Sequence, residues 1–121
     1  MGVLSIVPNL PTDDPAALAL FYQRVFGLDV VHDMGWIAFL GGPPQPRAQL
    51  QVATQGGSDT PLPQVSISVD DLDAVLQRLR DLGNLPVYGP VTEPWGLRRF
   101  FLRDPDDNLV NVLEHSDQND A

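Results

Sequence analysis

The sequence predicts an α+β protein built from two β-α-β-β-β modules, and three observations carry that expectation. Two amphipathic helical segments of near-equal length end in the same punctuation. A run of strands in the same order surrounds each helix, and a Gly/Pro/Ser/Asp-rich spacer, 56–63, divides the chain near its middle. Paired, the modules are expected to curl eight strands into a half-open barrel with a cup-shaped inner face. A cup with convergent polar groups is the default place for a ligand. With 121 residues there is apolar surface for one domain. Its expected parts are module 1 at 3–55, the linker 56–63, module 2 at 64–115 and a frayed tail at 116–121.

Taken in order, the first strand is expected over Leu4–Leu10. Asp14 then caps a helix, Pro15 takes its first position, and Leu18, Phe21, Tyr22 and Val25 form its apolar stripe until Gly27 stops it. Strands follow near Leu28–His32, Trp36–Leu40 and Ala48–Thr54, with Gly41–Pro46 as a loop. The second module opens on Gln64–Val69, where Val65, Ile67 and Val69 alternate with Gln64, Ser66 and Ser68. Asp70 is the expected N-cap of its helix. Asp73 suits the first turn, Leu72, Val75, Leu76, Leu79 and Leu82 supply the stripe, and Gly83 supplies the left-handed end. Val87–Val91, Arg98–Arg103 and Leu109–Glu114 complete the module, the last two joined by the turn formers Asp104-Pro105-Asp106-Asp107-Asn108.

Composition narrows the function classes. The net charge is −9, and all seven basic residues are Arg. That balance repels phosphate backbones and argues against nucleic acid as a partner. Without cysteine there is no disulfide, thiol chemistry or zinc-finger spacing. The opening MGVLSIVPNL lacks a basic n-region and reads as a strand, and no run approaches the roughly 18 apolar residues of a membrane span. A soluble, cytoplasmic protein is the expectation.

Three segments carry a resemblance to a known family. PNLPTDDPAALALFYQRVFGLDV, QVSISVDDLDAVLQRLRDLG and RFFLRDPDDNLVNVLEH resemble, in order and spacing, the opening, second-module and closing segments of vicinal-oxygen-chelate proteins. That group holds glyoxalases, extradiol dioxygenases, fosfomycin-modifying enzymes and metal-free bleomycin-binding proteins. The resemblance covers essentially the whole chain and implies the fold, but not which of these functions. The closing turn has Asp107 where the family usually has Gly; Asp tolerates a left-handed backbone better than most residues.

The resemblance also implies where a metal would sit. Metal-dependent members hold one divalent ion with His and Glu side chains from four cup-lining strands. Carried over by spacing, those positions fall on Val7, Gln49 or Gln51, Gln64 and Asn111. A valine donates nothing, and carboxamides are weak neutral donors where imidazoles and carboxylates are needed. The only histidines, His32 and His115, lie elsewhere. No metal or other cofactor is therefore expected.

Alternation then sorts the cup. If Val110 and Val112 pack on the helix with Phe100 and Leu102, then Leu109, Asn111, Leu113, Arg99 and Phe101 face the cup, joined by Gln64, Ser66, Ser68, Val7 and Asn9. A register slip of one would exchange the two sets. Trp36 and Trp95 occupy matching places beside Gly35 and Gly96, either stacking on a planar ligand or closing a core or dimer interface. Arg98 and Arg99 either clamp a carboxylate or keep a strand edge soluble. Glu93 and Glu114 show no partner carboxylate at readable spacing.

Three readings follow. The first is a metal-independent, bleomycin-resistance-like protein sequestering a small organic ligand, cationic or aromatic, in a cup at the module or dimer interface. The ligand-binding residues would be Val7, Asn9, Trp36, Gln49, Gln51, Gln64, Ser66, Trp95, Arg99, Phe101 and Asn111. The second is a metal-dependent lyase or dioxygenase, and the third a structural or regulatory dimer with a vestigial cup. A homodimer is expected in each, because exposed sheet edges and apolar faces invite a partner chain.

Overall fold

The computed structural model describes residues 2–42 and 45–115, the side chains of Gln45 and Pro46 apart. The tail expected to fray, 116–121, lies outside the described residues. The elements are β1 (Val3–Pro11), α1 (Pro15–Phe26), β2 (Asp29–Asp33), β3 (Ile37–Gly42), β4 (Gln45–Ala53), β5 (Val65–Val69), α2 (Leu72–Asp81), β6 (Tyr88–Glu93), β7 (Leu97–Arg103) and β8 (Leu109–His115). This is α+β with an eight-stranded mixed sheet, two helices and the module order strand-helix-strand-strand-strand twice.

The chain forms two compact units: Val7–Leu62, and residues from Pro63 onward together with those up to Ile6. β1 is thus divided, its opening residues grouping with the C-terminal unit. The spacer 56–63 is no slack linker. The Gly56 N–H donates to the Thr60 carbonyl at 2.9 Å, and the Thr60 N–H to Gly57 at 3.0 Å. Thr60 itself is buried.

In the N-terminal unit the strand order is β2-β3-β4-β1, with β1 and β4 parallel and the other pairs antiparallel. Asp14 caps α1, its carboxylate accepting from the Ala17 N–H at 3.1 Å. Gly27 ends the helix in the left-handed region, at φ 70°, with its N–H on the Gln23 carbonyl. The buried cluster is Ala19, Ala38, Leu40 and Val52, with Leu10, Leu18, Tyr22, Leu28 and Leu50 against it. Phe21 and Val25, expected in the stripe, are exposed. The helix is apolar nearly all round, so periodicity leaves its face ambiguous; the small side chain of Ala19 allows the closest approach to the sheet, and packing turns that side inward. The expected loop Gly41–Pro46 is also corrected. β3 runs to Gly42, which pairs with Gln45 at the start of β4, and residues 43–44 lie outside the described residues.

The C-terminal unit repeats the plan as β5-β8-β7-β6, with β5 and β8 parallel. The N-cap of α2 is Asp71, accepting from Ala74 N–H at 3.1 Å, and not Asp70. Two adjacent aspartates offered the cap. Asp70 instead takes the Gly2 N–H at 2.6 Å. Glu114 accepts from the Leu72 N–H, another of the free donors at this helix start. Leu82, expected in the stripe, is the exposed C-cap, beyond which Gly83 takes φ 82° and turns the chain away. Val69, Leu72, Leu76, Phe100, Val110 and Val112 form the buried core. Burying side chains of this kind stabilises by about 1.5–3 kcal/mol each. Asp107 holds the left-handed conformation at φ 69°, while the Asp104 carboxylate gathers the N–H groups of Asp106 and Asn108.

Candidate functional site

The register of the C-terminal unit decides which side chains meet. Ser66 pairs with Asn111, Asn111 with Phe101 and Phe101 with Tyr88, one row across β5, β8, β7 and β6. The next row runs Ser68, Leu113, Arg99, Val91. Side chains directly opposite in a sheet share a face. Phe100, Val110 and Val112 pack with α2, so these rows lie on the face away from the helix. The slip of one did not occur.

At one end of the row Asn111 donates from Nδ2 to the Ser66 hydroxyl at 3.0 Å, both residues buried. Its Oδ1 has no hydrogen-bond partner. A buried carbonyl left in this state is destabilising by about 1–3 kcal/mol, so it calls for a physical reason.

At the other end stands a charged cluster. Arg99 Nε donates to Glu93 Oε2 at 2.6 Å, its Nη2 lies 2.5 Å from the same oxygen, and the Tyr88 hydroxyl donates to it at 2.9 Å. The Arg99 and Glu93 side chains are 4% and 3% exposed. The guanidinium carbon lies 4.7 Å from the Phe101 ring centroid, 5.1 Å from Trp95 and 5.4 Å from Tyr88. These are cation–π distances. Tyr88 and Phe101 themselves approach to 4.8 Å between centroids.

Ser66, Asn111, Phe101, Arg99 and Trp95, named from the sequence, are therefore brought together. Arg98 is not: successive residues of β7 point to opposite faces, and Arg98 pairs with Asp73 of α2 at 2.9 Å. A clamp built from Arg98 and Arg99 together is ruled out by the pleat. Gln64 is exposed, and its Oε1 accepts from the Leu109 N–H at 3.1 Å. In the N-terminal unit Val7 and Asn9 are buried, Gln51 pairs with Asn9 and with Phe39, and Gln49 is exposed. Trp36 is half-buried, its carbonyl taking the Thr54 N–H at 2.9 Å.

Alternation along the sequence places neither Glu93 nor Tyr88 beside Arg99. Strict alternation puts residues 88 and 93 on opposite faces. The register shift between Tyr88 and Val91 reverses the parity and brings both to Arg99. The run Glu93-Pro94-Trp95-Gly96 was the available signal, since a turn there pairs Glu93 with Leu97, next to Arg99 on the same face.

The residues at the carried-over metal positions do not suit a divalent cation. Val7 has no donor atom, the Gln64 carbonyl is already engaged, and Gln49, Gln51 and Asn111 are neutral carboxamides. Among the described residues, no three of His, Cys, Asp and Glu gather as a metal set.

The paired β-α-β-β-β units, each with polar side chains on the face away from its helix, define a class of small α+β proteins. A model of the Glyoxalase/Bleomycin resistance protein/Dioxygenase superfamily matches residues 3–112. The chain belongs to that superfamily. It is similar to a bleomycin resistance protein from Klebsiella pneumoniae, 28% identical over 118 residues, 89% of this chain and 90% of that protein. It is also similar in structure to an NAD-dependent benzaldehyde dehydrogenase from Legionella pneumophila, with TM-score 0.72 and 15% identity over 92% of this chain and 99% of the other. A glyoxalase/bleomycin resistance protein/dioxygenase superfamily member from Vibrio splendidus 12B01 gives TM-score 0.66 and 16% identity over 93% and 99%. At such identities the structural likeness speaks for the fold alone. Among the described residues no helix is long and apolar enough to cross a membrane.

Proposed function

We propose that this protein binds a small organic molecule without a metal, through the face of the C-terminal unit away from α2, and acts by sequestration. The observation that carries this reading is the Asn111 carbonyl, buried and without a hydrogen-bond partner beside the Phe101 ring. The distant likeness to a bleomycin resistance protein supports it. So does the chemistry of the row: carboxamide, hydroxyls and aromatic rings bind by hydrogen bonding and stacking, and offer no general acid–base pair for breaking bonds. Homodimerisation belongs to the same reading and is supported by Phe21, Val25 and Phe26, exposed together on α1.

The test is a ligand screen read by tryptophan fluorescence, because Trp95 adjoins the proposed face. Binding that changes fluorescence and is indifferent to EDTA is expected. Zn, Ni, Mn or Fe co-purifying at one equivalent and required for ligand binding would overturn the metal-free reading. A broad aromatic and amide library that leaves both fluorescence and melting unmoved would overturn sequestration.

A further inference from the structure

The helix α2 does not cover the whole of the sheet face on which it packs. Beside it lies a cavity of about 490 Å³, within the size range of small-ligand sites, and every residue lining it belongs to the C-terminal unit. Two rows of the sheet run through it, Val65–Val110–Leu102 and Ile67–Val112. Val69 continues the lining along β5, and Val75 of α2 and Val3 of β1 add to it. Asp104, two residues beyond Leu102, ends it at the closing turn. We infer that this cavity is a second binding site, on the opposite side of the sheet from the polar row, and that it takes a straight-chain aliphatic amine. The chain would lie along β5, with the ammonium group at Asp104.

The lining is open to solvent. Val3 is 56% exposed, and Val65, Ile67, Val75, Leu102 and Asp104 are half-buried, while Val69, Val110 and Val112 are buried. The walls also hold their shape. Seven of the eight apolar side chains are Val or Ile, whose branched β-carbon restricts χ1 and keeps them from swinging in to fill the space. Among the described residues no aromatic ring lines the cavity. A planar ligand therefore finds nothing to stack on, and burial of CH2 groups is the driving force. From Val65 to Val69 the strand runs about 13 Å, at about 3.3 Å per residue, which suits a chain better than a ring. The charged group of the lining is one carboxylate. Hydrogen bonds from Asn108 hold Asp104 below the usual carboxylate range, so it is ionised at neutral pH. Its Oδ2 accepts from Asn108 Nδ2 at 2.9 Å, and a carboxylate oxygen has a second lone pair to offer. A fatty acid would bring a like charge to that end and an alcohol none; an ammonium group is the complement.

Hexylamine, octylamine, octanol and octanoate test this, titrated into the full chain and followed by NMR of its Val, Ile and Leu methyl groups. Octylamine is expected to shift the methyl resonances of Val65, Ile67 and Val110 saturably, and to bind about tenfold more tightly than hexylamine. Octanol should bind about threefold more weakly than octylamine, the size of advantage an exposed ion pair gives, and octanoate more weakly still. That threefold advantage should vanish in Asp104→Asn, whose amide oxygen still accepts the hydrogen bonds of the turn. It should vanish in the wild type at molar salt as well, so the charge is tested even where the variant does not fold. Val75→Phe and Val3→Phe each put a ring into the cavity, the second from an exposed position that the fold tolerates, and each should weaken octylamine by about tenfold. Unmoved methyl resonances, shifts centred on Leu109 and Leu113 instead, or Phe variants that bind like the wild type overturn the inference. So does an amine–alcohol preference that is absent at low salt or that survives both Asp104→Asn and molar salt. The polar row is read by tryptophan fluorescence and this cavity by its own methyl groups, so either site can fail while the other stands.

Discussion

Glu93 and Arg99 form a buried ion pair across the β6–β7 hairpin, with both guanidinium donors and the Tyr88 hydroxyl converging on one carboxylate oxygen. A pair held this way matters more when broken than when absent. Leaving one charge buried without its partner costs about 3–5 kcal/mol, whereas replacing both by apolar side chains of similar volume is near neutral. E93A is therefore expected to lower unfolding stability by an amount in that range, and E93L/R99L to recover most of it. Urea melts of the two variants check this; equal loss in both would mean that packing, not charge, holds the hairpin.

Asn111 yields the opposite trade. Asn111→Leu removes a buried carbonyl without a partner and places an apolar side chain on a face it shares with Leu113. Stability should stay level or rise by about 1 kcal/mol, while the ligand-induced fluorescence change is lost. Thermal melts and a ligand titration of the same sample read both quantities. Retained binding in the Leu variant would remove Asn111 from the site.

The closing turn carries a pH dependence. Asp104 is held below the usual carboxylate range, chiefly by the hydrogen bond from the Asn108 side chain, then by the Asn108 backbone N–H. Burial opposes these, and the Asp106 N–H adds to them. A carboxyl depressed in the folded state contributes stability that is complete above its ordinary value and is lost as pH falls through the folded one. Asn108→Ala should raise the Asp104 titration midpoint toward the ordinary range, followed by carboxyl-carbon NMR. An unmoved midpoint would assign the depression to the backbone donors alone.

Phe100 and Leu72 anchor the core between α2 and its sheet, each fully buried. Phe100→Ala should cost about 3–5 kcal/mol. Phe21→Asp, on the exposed side of α1, should leave the monomer's fold intact and shift sedimentation from dimer to monomer if that surface is the proposed interface. An unchanged sedimentation coefficient would place the contact elsewhere or nowhere.

The elements were legible in the chain because their signals are local. Asp14, Pro15 and Gly27 bracket α1 within hydrogen-bonding reach of their own backbone, and Asp104–Asn108 closes a turn on itself. Alternation in β7 and β8 likewise separated Phe100, Val110 and Val112 from Phe101, Arg99 and Asn111, as the register shows. The metal-ligand positions without suitable donors could also be read there.

Tertiary structure alone decided the rest. The cap passed from Asp70 to Asp71 because Asp70 is claimed by Gly2, sixty-eight positions away. The inward side of α1 was chosen by what the sheet could pack against, which an almost wholly apolar helix does not specify. The cluster at Arg99 depended on one register shift in β6 that no period-2 pattern contains. Local hydrogen bonding and side-chain periodicity act over a few residues and are written into the sequence; the choice among equivalent donors, faces and registers is settled only when distant segments compete for the same space.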